Sequence, residues 1–544
     1  MIKLKNLKKS IVAVLFLLFL VTSTHSLNVG SGASANNKTQ VKNVIMLIPD
    51  GTSIEAITLA RWYNGGKSLA MDEIAVGLTR TYWKDGPITD SAPGGTAYAV
   101  GYKTDDKHVG VLSEQEGNRP VATLVEAARL EGKSTGIVVT SEIMHATPAD
   151  FTAHDPDRSN YNSLMKQQIY NGLDVVLGGG DEFFTPAAGG KRTDGKDLRE
   201  VIKSLGYDYV TTRDEMKKSK ASKIWGAFAP RDLMYDIDRQ TTNSDQPTLA
   251  EMTQKAIEVL SKDKDGFFLM VEGSKIDWAA HANDPVGVVS DIIAFDKAVK
   301  VALDFARKDG HTVVVSSADH GTGGLTIGSK VHDKEYSYIT FDESVNRLRT
   351  AKASADLAIS LLKNADEGKI KEVLNTYYGI NDPTVEEISS IKSDPQNIKQ
   401  VISARSNVGW TTGGHVGGDV ALFNYAPYGV ERLQGVKDNT EVGRYMARVL
   451  GLNLEKATKE LFVNAKKVFE ARGAKVEIDA SDIDNPVVNI TKGTNILKLH
   501  GYTNIAELNG NTCKLNGVIV CIKKNDKYNV EDVYVPMQAV ELLR

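Results

Sequence analysis

The sequence predicts an α/β protein: a mostly parallel central sheet with helices on both faces. Three observations carry this. First, apolar runs such as "VKNVIMLI" from Val41, "STGIVVT" from Ser134, "GFFLMVEG" from Gly266 and "HTVVVSSADHG" from His311 are continuous rather than alternating. That is the pattern of strands buried on both faces. Second, helical stretches at 120–130, 247–260 and 286–307 stand between them, the strand–helix alternation that builds parallel sheets. Third, Asp50, Thr147, Glu272, Asp319 and His320 fall just beyond the strand runs. Sheets of this kind gather their ligands at the C-terminal ends of strands.

The elements follow in order. Residues 1–35 read as a signal peptide and leader. Lys3, Lys5, Lys8 and Lys9 precede the apolar run 11–21, and "ASA" stands at 33–35. The apolar run is shorter than the roughly 20 residues of a membrane span, so a secreted or extracytoplasmic protein is expected. The catalytic domain is expected over 41–472. Within it, 330–401 turns charged and helix-prone and reads as a helical insertion. "DVALFNYAPYG" then returns as a strand, and 441–450 as a closing helix. After Arg472, short β-branched runs separated by Asn-Gly signals read as a small β-rich module over 473–544. Its Cys513 and Cys521 are the two cysteines of the chain, and Asn516-Gly517 between them is a hairpin signal compatible with a disulfide. The net charge of −4 and the lack of a basic face exclude a nucleic-acid binder.

Chemistry concentrates in a few stretches. In "PITDSAPGGTAYAVG", Ser91 stands at a helix start, where an Asp–Ser pair is ordinarily a cap. In "VEGSKIDWAAHAND", Asp277 and His281 are four apart, on one helical face. Asp319 and His320 end a strand run, and His415 lies among glycines in "WTTGGHVGGDV". Each pair alone is weak. Together Asp50, Asp277, Asp319, His281, His320 and His415 offer carboxylates and imidazoles for two metals, a donor mix suited to zinc. Ser91 is then a candidate nucleophile and Arg158, in "HDPDRSN", a candidate phosphate clamp, because a planar guanidinium pairs with tetrahedral oxyanions.

The pieces "PDG", "TDSAPGGTA", "HATPADFTAH", "VEGSKIDWAAH", "SADHGTGG" and "GGHVGGDV" resemble those of alkaline phosphatases, in that family's order, from about residue 41 to 450. The resemblance implies a phosphomonoesterase acting on small phosphate monoesters through a phosphoserine at Ser91, with Arg158 on the phosphate. It implies one zinc on Asp277, His281 and His415, a second on Asp50, Asp319 and His320, and magnesium on Asp50, Thr147 and Glu272. It also implies a homodimer. His145 and Trp278 occupy positions that vary in the family. His145 as a direct ligand would make zinc or cobalt conceivable at the third site, with a supporting position behind the ligands as the alternative for it, for Trp278 and for His154. Alternative readings are a phosphodiesterase or sulfatase of the same superfamily, or a surface protein acting mainly through its C-terminal module. The 473–544 stretch resembles the copper amine oxidase N-terminal-like domain, without a His or Cys cluster for copper, which implies attachment or interaction, with cell-wall or surface contact.

Overall fold

The computed structural model describes residues 40–543 except 187, 188, 193, 333–335 and 526, so the expected leader lies outside them. Ten strands form the main sheet: β1 (Asn43–Ile48), β2 (Ala75–Arg80), β3 (Ser134–Glu142), β4 (Val175–Gly179), β5 (Asp208–Val210), β6 (Ile224–Ala227), β7 (Phe267–Glu272), β8 (Thr312–Ser317), β9 (Val420–Tyr425) and β10 (Gly435–Asp438). Their order is β10-β2-β9-β8-β1-β7-β3-β4-β6-β5. β1 pairs in parallel with both β7 and β8, and β9 runs antiparallel to its two neighbours. The expected fold class holds.

The continuous apolar runs have a structural cause. In a strand, successive side chains point to opposite faces. Ile45, Leu47, Leu269 and Val271 enter one core, with Phe295 and Ala302 of the long helix Pro285–Asp309. Val44, Met46, Ile48, Phe268 and Met270 enter the other, with Leu124 and Ala128 of the helix Leu124–Leu130. β1 and β7 are buried throughout, and after Asn43 at the start of β1 neither carries a polar side chain until the strand ends. That is where Asp50 and Glu272 appear.

The expected helical insertion contains Ala355–Leu361, Glu367–Tyr378, Val385–Ser393 and Ile398–Arg405. Its apolar side chains, among them Val373, Leu374 and Ile391, join the first core.

The C-terminal region is a small β domain with its own core. Lys475–Asp479, Val487–Lys492, Asn495–His500, Ile505–Leu508 and Asn511–Lys514 form an antiparallel meander. Val463–Asn464, Val520–Lys524 and Lys527–Val535 form a second sheet. The Asn516-Gly517 stretch therefore links two sheets instead of closing a hairpin. Cys513 and Cys521 both remain free thiols. Burial pushes the Cys521 thiol up to about 12, so it is protonated and inert. No helix among the described residues is long and apolar enough to cross a membrane.

Candidate active site

The functional side chains converge beyond the C-terminal ends of β1, β7, β3 and β8. Asp50 follows β1, Glu272 ends β7, and Asp319 and His320 follow β8. His145 and Thr147 sit where β3 gives way to the helix Ala146–Asp150. Gly51 makes the turn after Asp50 possible. Its φ is +64°, and a Cβ there would lie 2.5 Å from Asp277 Oδ1.

Ser91 opens the helix Ser91–Val100, but it is not the cap. Asp90 takes that role, its side chain accepting from the Ala92 N–H at 3.1 Å. The Ser91 hydroxyl is thus free to face inward, 3.1 Å from His320 Nε2, and the residue is only 2% exposed.

Three groups of donor side chains form around it, each with ligand atoms within 4.8 Å of one another. Asp277, His281 and His415 make the first. His281 Nδ1 meets the Gly413 carbonyl at 2.6 Å and His415 Nδ1 meets the Thr89 carbonyl at 2.8 Å. Each Nδ1 therefore carries the proton, which leaves both Nε2 lone pairs facing each other at 3.0 Å. A metal cation between them satisfies both at once, as a single shared proton would. Asp50, Asp319 and His320 make the second group, with His320 Nε2 3.3 Å from Asp319 Oδ2. Asp319 Oδ1 already accepts from the Gly51 and His320 N–H groups, while Oδ2 has no partner. Asp50, His145 and Glu272 make the third.

Whether cations fit is decided by the orphaned atoms. Both oxygens of Asp50, both of Glu272, Asp319 Oδ2, Thr147 Oγ1 and His145 Nδ1 are buried without a hydrogen-bond partner. Such groups are costly to bury unpaired. Burial, then the carboxylates of Asp319, Asp277 and Glu272, push Asp50 far above the usual carboxylate range. Glu272 is raised by burial and by Asp319. His320 is pushed down to about 3 by burial and by His415, so it stays a neutral imidazole with a lone pair to give. A set of buried carboxylates and neutral imidazoles with inward, unsatisfied atoms is a donor set for divalent cations, and the residues fit them.

Arg158 lies at the rim. One guanidinium nitrogen is held by Asp90 Oδ1 and the other meets His145 Nε2 at 3.0 Å. The clamp candidate is thereby tied to the residue that caps the Ser91 helix.

The alkaline phosphatase family pattern matches residues 41–452. The chain belongs to the alkaline phosphatase family. Membership makes it a phosphoric monoester hydrolase of a metal-dependent kind. "Alkaline phosphatase 3" of Bacillus subtilis strain 168 is 40% identical over 444 residues, covering 77% of this chain and 91% of that protein. The "Repressible alkaline phosphatase" of Saccharomyces cerevisiae is 34% identical, covering 77% and 82%. The Thermus thermophilus alkaline phosphatase structure superposes with a TM-score of 0.69 at 28% identity, covering 79% of this chain and 98% of that one. The small β domain lies beyond the family match.

The structure brings together Ser91, Arg158 and all eight of the metal-ligand candidates of the family motifs. His145 falls in the third group by position, but with Nε2 accepting from Arg158 its Nδ1 carries the proton, so it would offer a lone pair there only once the Arg158 contact is given up. Trp278 packs edge-on against the His145 ring, centroids 5.7 Å apart, and so fixes that ring's orientation. His154 does something different. Its ring nitrogens meet the Gly110 carbonyl at 2.7 Å and Glu126 at 2.9 Å, and its ring packs on Phe462. With both nitrogens engaged it offers no lone pair to a metal, and it belongs to none of the three groups. Sequence reasoning missed Thr322, whose hydroxyl donates to Asp277 Oδ1 at 2.6 Å and stands 3.2 Å from His320 Nδ1. It bridges ligands of two groups, and its place in "DHGTGG" was the available signal. The Asp90–Arg158 pair was also missed, because 68 residues separate its members.

Proposed function

We propose that the chain hydrolyses phosphate monoesters to alcohol and inorganic phosphate through a phosphoserine at Ser91. The observation that carries this is the Ser91 hydroxyl, relieved of capping by Asp90, aimed at His320 inside the ligand groups. Asp277, His281 and His415 would hold one zinc, and Asp50, Asp319 and His320 the other. Asp50, Thr147 and Glu272 would hold magnesium. Where bound, these cations supply Lewis acidity to the serine oxygen and offset charge on the phosphoryl oxygens.

The chain's own residues do the rest. Ser91 gives up its proton to solvent water, its Oγ attacks phosphorus as the P–O bond to the alcohol breaks, the departing oxygen takes a proton from water, and a second water later cleaves the phosphoserine to return the serine and release inorganic phosphate. Arg158, exposed on one side, pairs with phosphoryl oxygens above Ser91. The N–H groups of the Ser91–Val100 helix start add partial positive charge there. His320, kept neutral, donates its lone pair and takes no proton from the serine. Asp90 holds Arg158 over the helix start.

His145 makes the third site the open choice between magnesium and zinc or cobalt, since imidazole suits the latter two. In variants of the alkaline phosphatase from the Antarctic bacterium TAB5 (28% identical, TM-score 0.56), a histidine changed to Asp or Glu accompanies magnesium in the M3 site, which supports this reading. Secretion, a homodimer, and an accessory role for 473–544 after a catalytic part over 41–472 belong to the same proposal. So does the copper amine oxidase-like character of that accessory part, which holds none of the three ligand groups.

The test uses metal-stripped protein and p-nitrophenyl phosphate, with zinc, cobalt and magnesium returned singly and together across neutral to alkaline pH. Restored turnover plus a phosphoenzyme absent from Ser91→Ala supports the proposal. Turnover by Ser91→Ala at the wild-type rate overturns it.

A further inference from the structure

The run "GVIVCIKK" from Gly517 leads into the strand Val520–Lys524 and is apolar without alternation, although its sheet is antiparallel. An antiparallel strand with one face in water alternates, so both faces of this one are covered. Different bodies cover them. Ile519 and Cys521 enter the core of the C-terminal β domain, with Phe469 and Leu499. Val518, Val520 and Ile522 enter the core that holds Phe151 and, from the helix Tyr161–Asn171, Met165 and Ile169. The β domain is therefore docked through a shared apolar core, and domains joined that way do not swing freely.

Polar contacts fix the same seam. Buried Lys166, in the helix Tyr161–Asn171, donates to the Asp484 carbonyl at 2.9 Å and to Asn485 Oδ1 at 2.7 Å. Arg129 donates to the Asn516 carbonyl at 2.6 Å. Phe462, beyond the family match and next to the strand Val463–Asn464, sets its ring against His154 with centroids 4.5 Å apart.

What the β domain grips is the support of Arg158. The helix Tyr161–Asn171 starts shortly after Arg158 and holds the chain before it at two places. Gln167 accepts from the His154 N–H and donates to the His154 carbonyl, both at 3.0 Å. Ser163 donates to Asp155 Oδ2 at 2.6 Å. The helix Leu124–Leu130, which carries Arg129, adds Glu126, 2.9 Å from His154 Nε2. From the other side, Val109 and Asp155 exchange backbone hydrogen bonds at 2.8 and 2.9 Å, and the Arg158 N–H donates to the Lys107 carbonyl at 3.0 Å. Both helices that brace residues 154–158 are thus themselves braced by the β domain.

We propose that the C-terminal β domain is a fixed buttress of the phosphate site. Docked through Val518, Val520 and Ile522, it holds the helix Tyr161–Asn171 and residues 154–158 so that Arg158 stays over the start of the Ser91 helix, with Lys166 and Phe462 as positioning residues. This rests on the phosphomonoesterase reading above, with Arg158 as its phosphate clamp.

The experiment is a double-mutant cycle in the metal-loaded full chain. It measures kcat/KM for p-nitrophenyl phosphate and the inhibition constant of inorganic phosphate for Lys166→Met and Phe462→Leu, each alone and combined with Arg158→Ala. Each substitution alone is expected to lower kcat/KM and weaken phosphate inhibition by about three- to tenfold, the effect of a lost contact. With Arg158 already replaced, the same substitution should change neither by more than about twofold, because the arginine it positions is gone. A merely structural role would give the same loss in both backgrounds, and that result overturns the proposal. So do single variants within twofold of wild type. The two substitutions act at different contacts of the seam, so either one carries the test if the other fails to fold. Wild-type turnover with one of those results overturns the buttress alone. No wild-type turnover overturns the phosphomonoesterase reading with it.

Discussion

Replacing Arg158 by alanine tests how the site manages phosphate charge. Arg158 is 22% exposed at its side chain and Asp90 18%, so the pair is screened on one side only. In the reaction its guanidinium offers charge-assisted hydrogen bonds to phosphoryl oxygens, each worth about 1.5–3 kcal/mol. Taking two at the low end, because of the partial exposure, gives about 3 kcal/mol, or roughly a hundredfold in kcat/KM. A second effect adds to it. Without Arg158 the Asp90 carboxylate faces the incoming dianion unpaired, one residue from Ser91. Asp90→Asn should relieve that repulsion while preserving the helix cap, since Asn caps as well as Asp. The double variant is therefore expected to recover about tenfold over Arg158→Ala alone, a coupling that a double-mutant cycle reads directly. The assay is steady-state hydrolysis of p-nitrophenyl phosphate together with competitive inhibition by inorganic phosphate. The inhibition constant should weaken in step with kcat/KM. Arg158→Ala within threefold of wild type on both would refute the clamp, and additive single effects would refute the Asp90 coupling.

Removing metal should make stability depend on pH in an unusual direction. Asp50, Asp319 and Glu272 have folded pKa values raised above their ordinary values of 3.8, 3.8 and 4.5. Their contribution is thus full below about pH 4 and is lost as pH rises, continuing up to the Glu272 value of about 8. The lowered His320 and His145 act in the opposite sense up to their ordinary value of 6.5, so metal-free protein should show a falling Tm from there to about pH 8, and zinc should abolish the fall; a flat metal-free profile in that range would contradict it. His145→Asp should shift activation toward magnesium over zinc or cobalt at the third site, measured by metal titration of activity and metal content, and identical metal preference would remove His145 from the ligands. Gly51→Ala should cut bound zinc sharply, because its Cβ would collide with Asp277 Oδ1 and Thr322 Oγ1 and φ is positive; full zinc occupancy by elemental analysis would count against the close-packed turn.

Much of this was legible from residue order alone. A strand buried on both faces must be apolar along its length, so the first polar residue after it marks where the chain leaves the core. That rule located Asp50, Glu272 and the Asp319–His320 pair. The i,i+4 spacing put Asp277 and His281 on one helical face. Local sequence could not say which ligands share a metal. His415 lies 134 residues from His281, and their Nε2 atoms meet because His415 pairs with Thr322 in a short antiparallel ladder after β8, beside the helix Lys275–His281. Nor could it say which of Asp90 and Ser91 caps the helix. Both residues suit the role, and the choice rests on a φ/ψ change one residue earlier than Ser91.

The sequence by itself thus determined the sheet, the placement of polar groups at its strand ends and the chemical kind of site, because burial periodicity and donor type are local properties. Tertiary structure alone decided the grouping of ligands, the Asp90–Arg158 tether, the engagement of His154 with Glu126, and the meeting of the C-terminal β domain with the Arg158 segment. Each of those depends on contacts between residues far apart in the chain, and no local pattern encodes a distance that only packing sets.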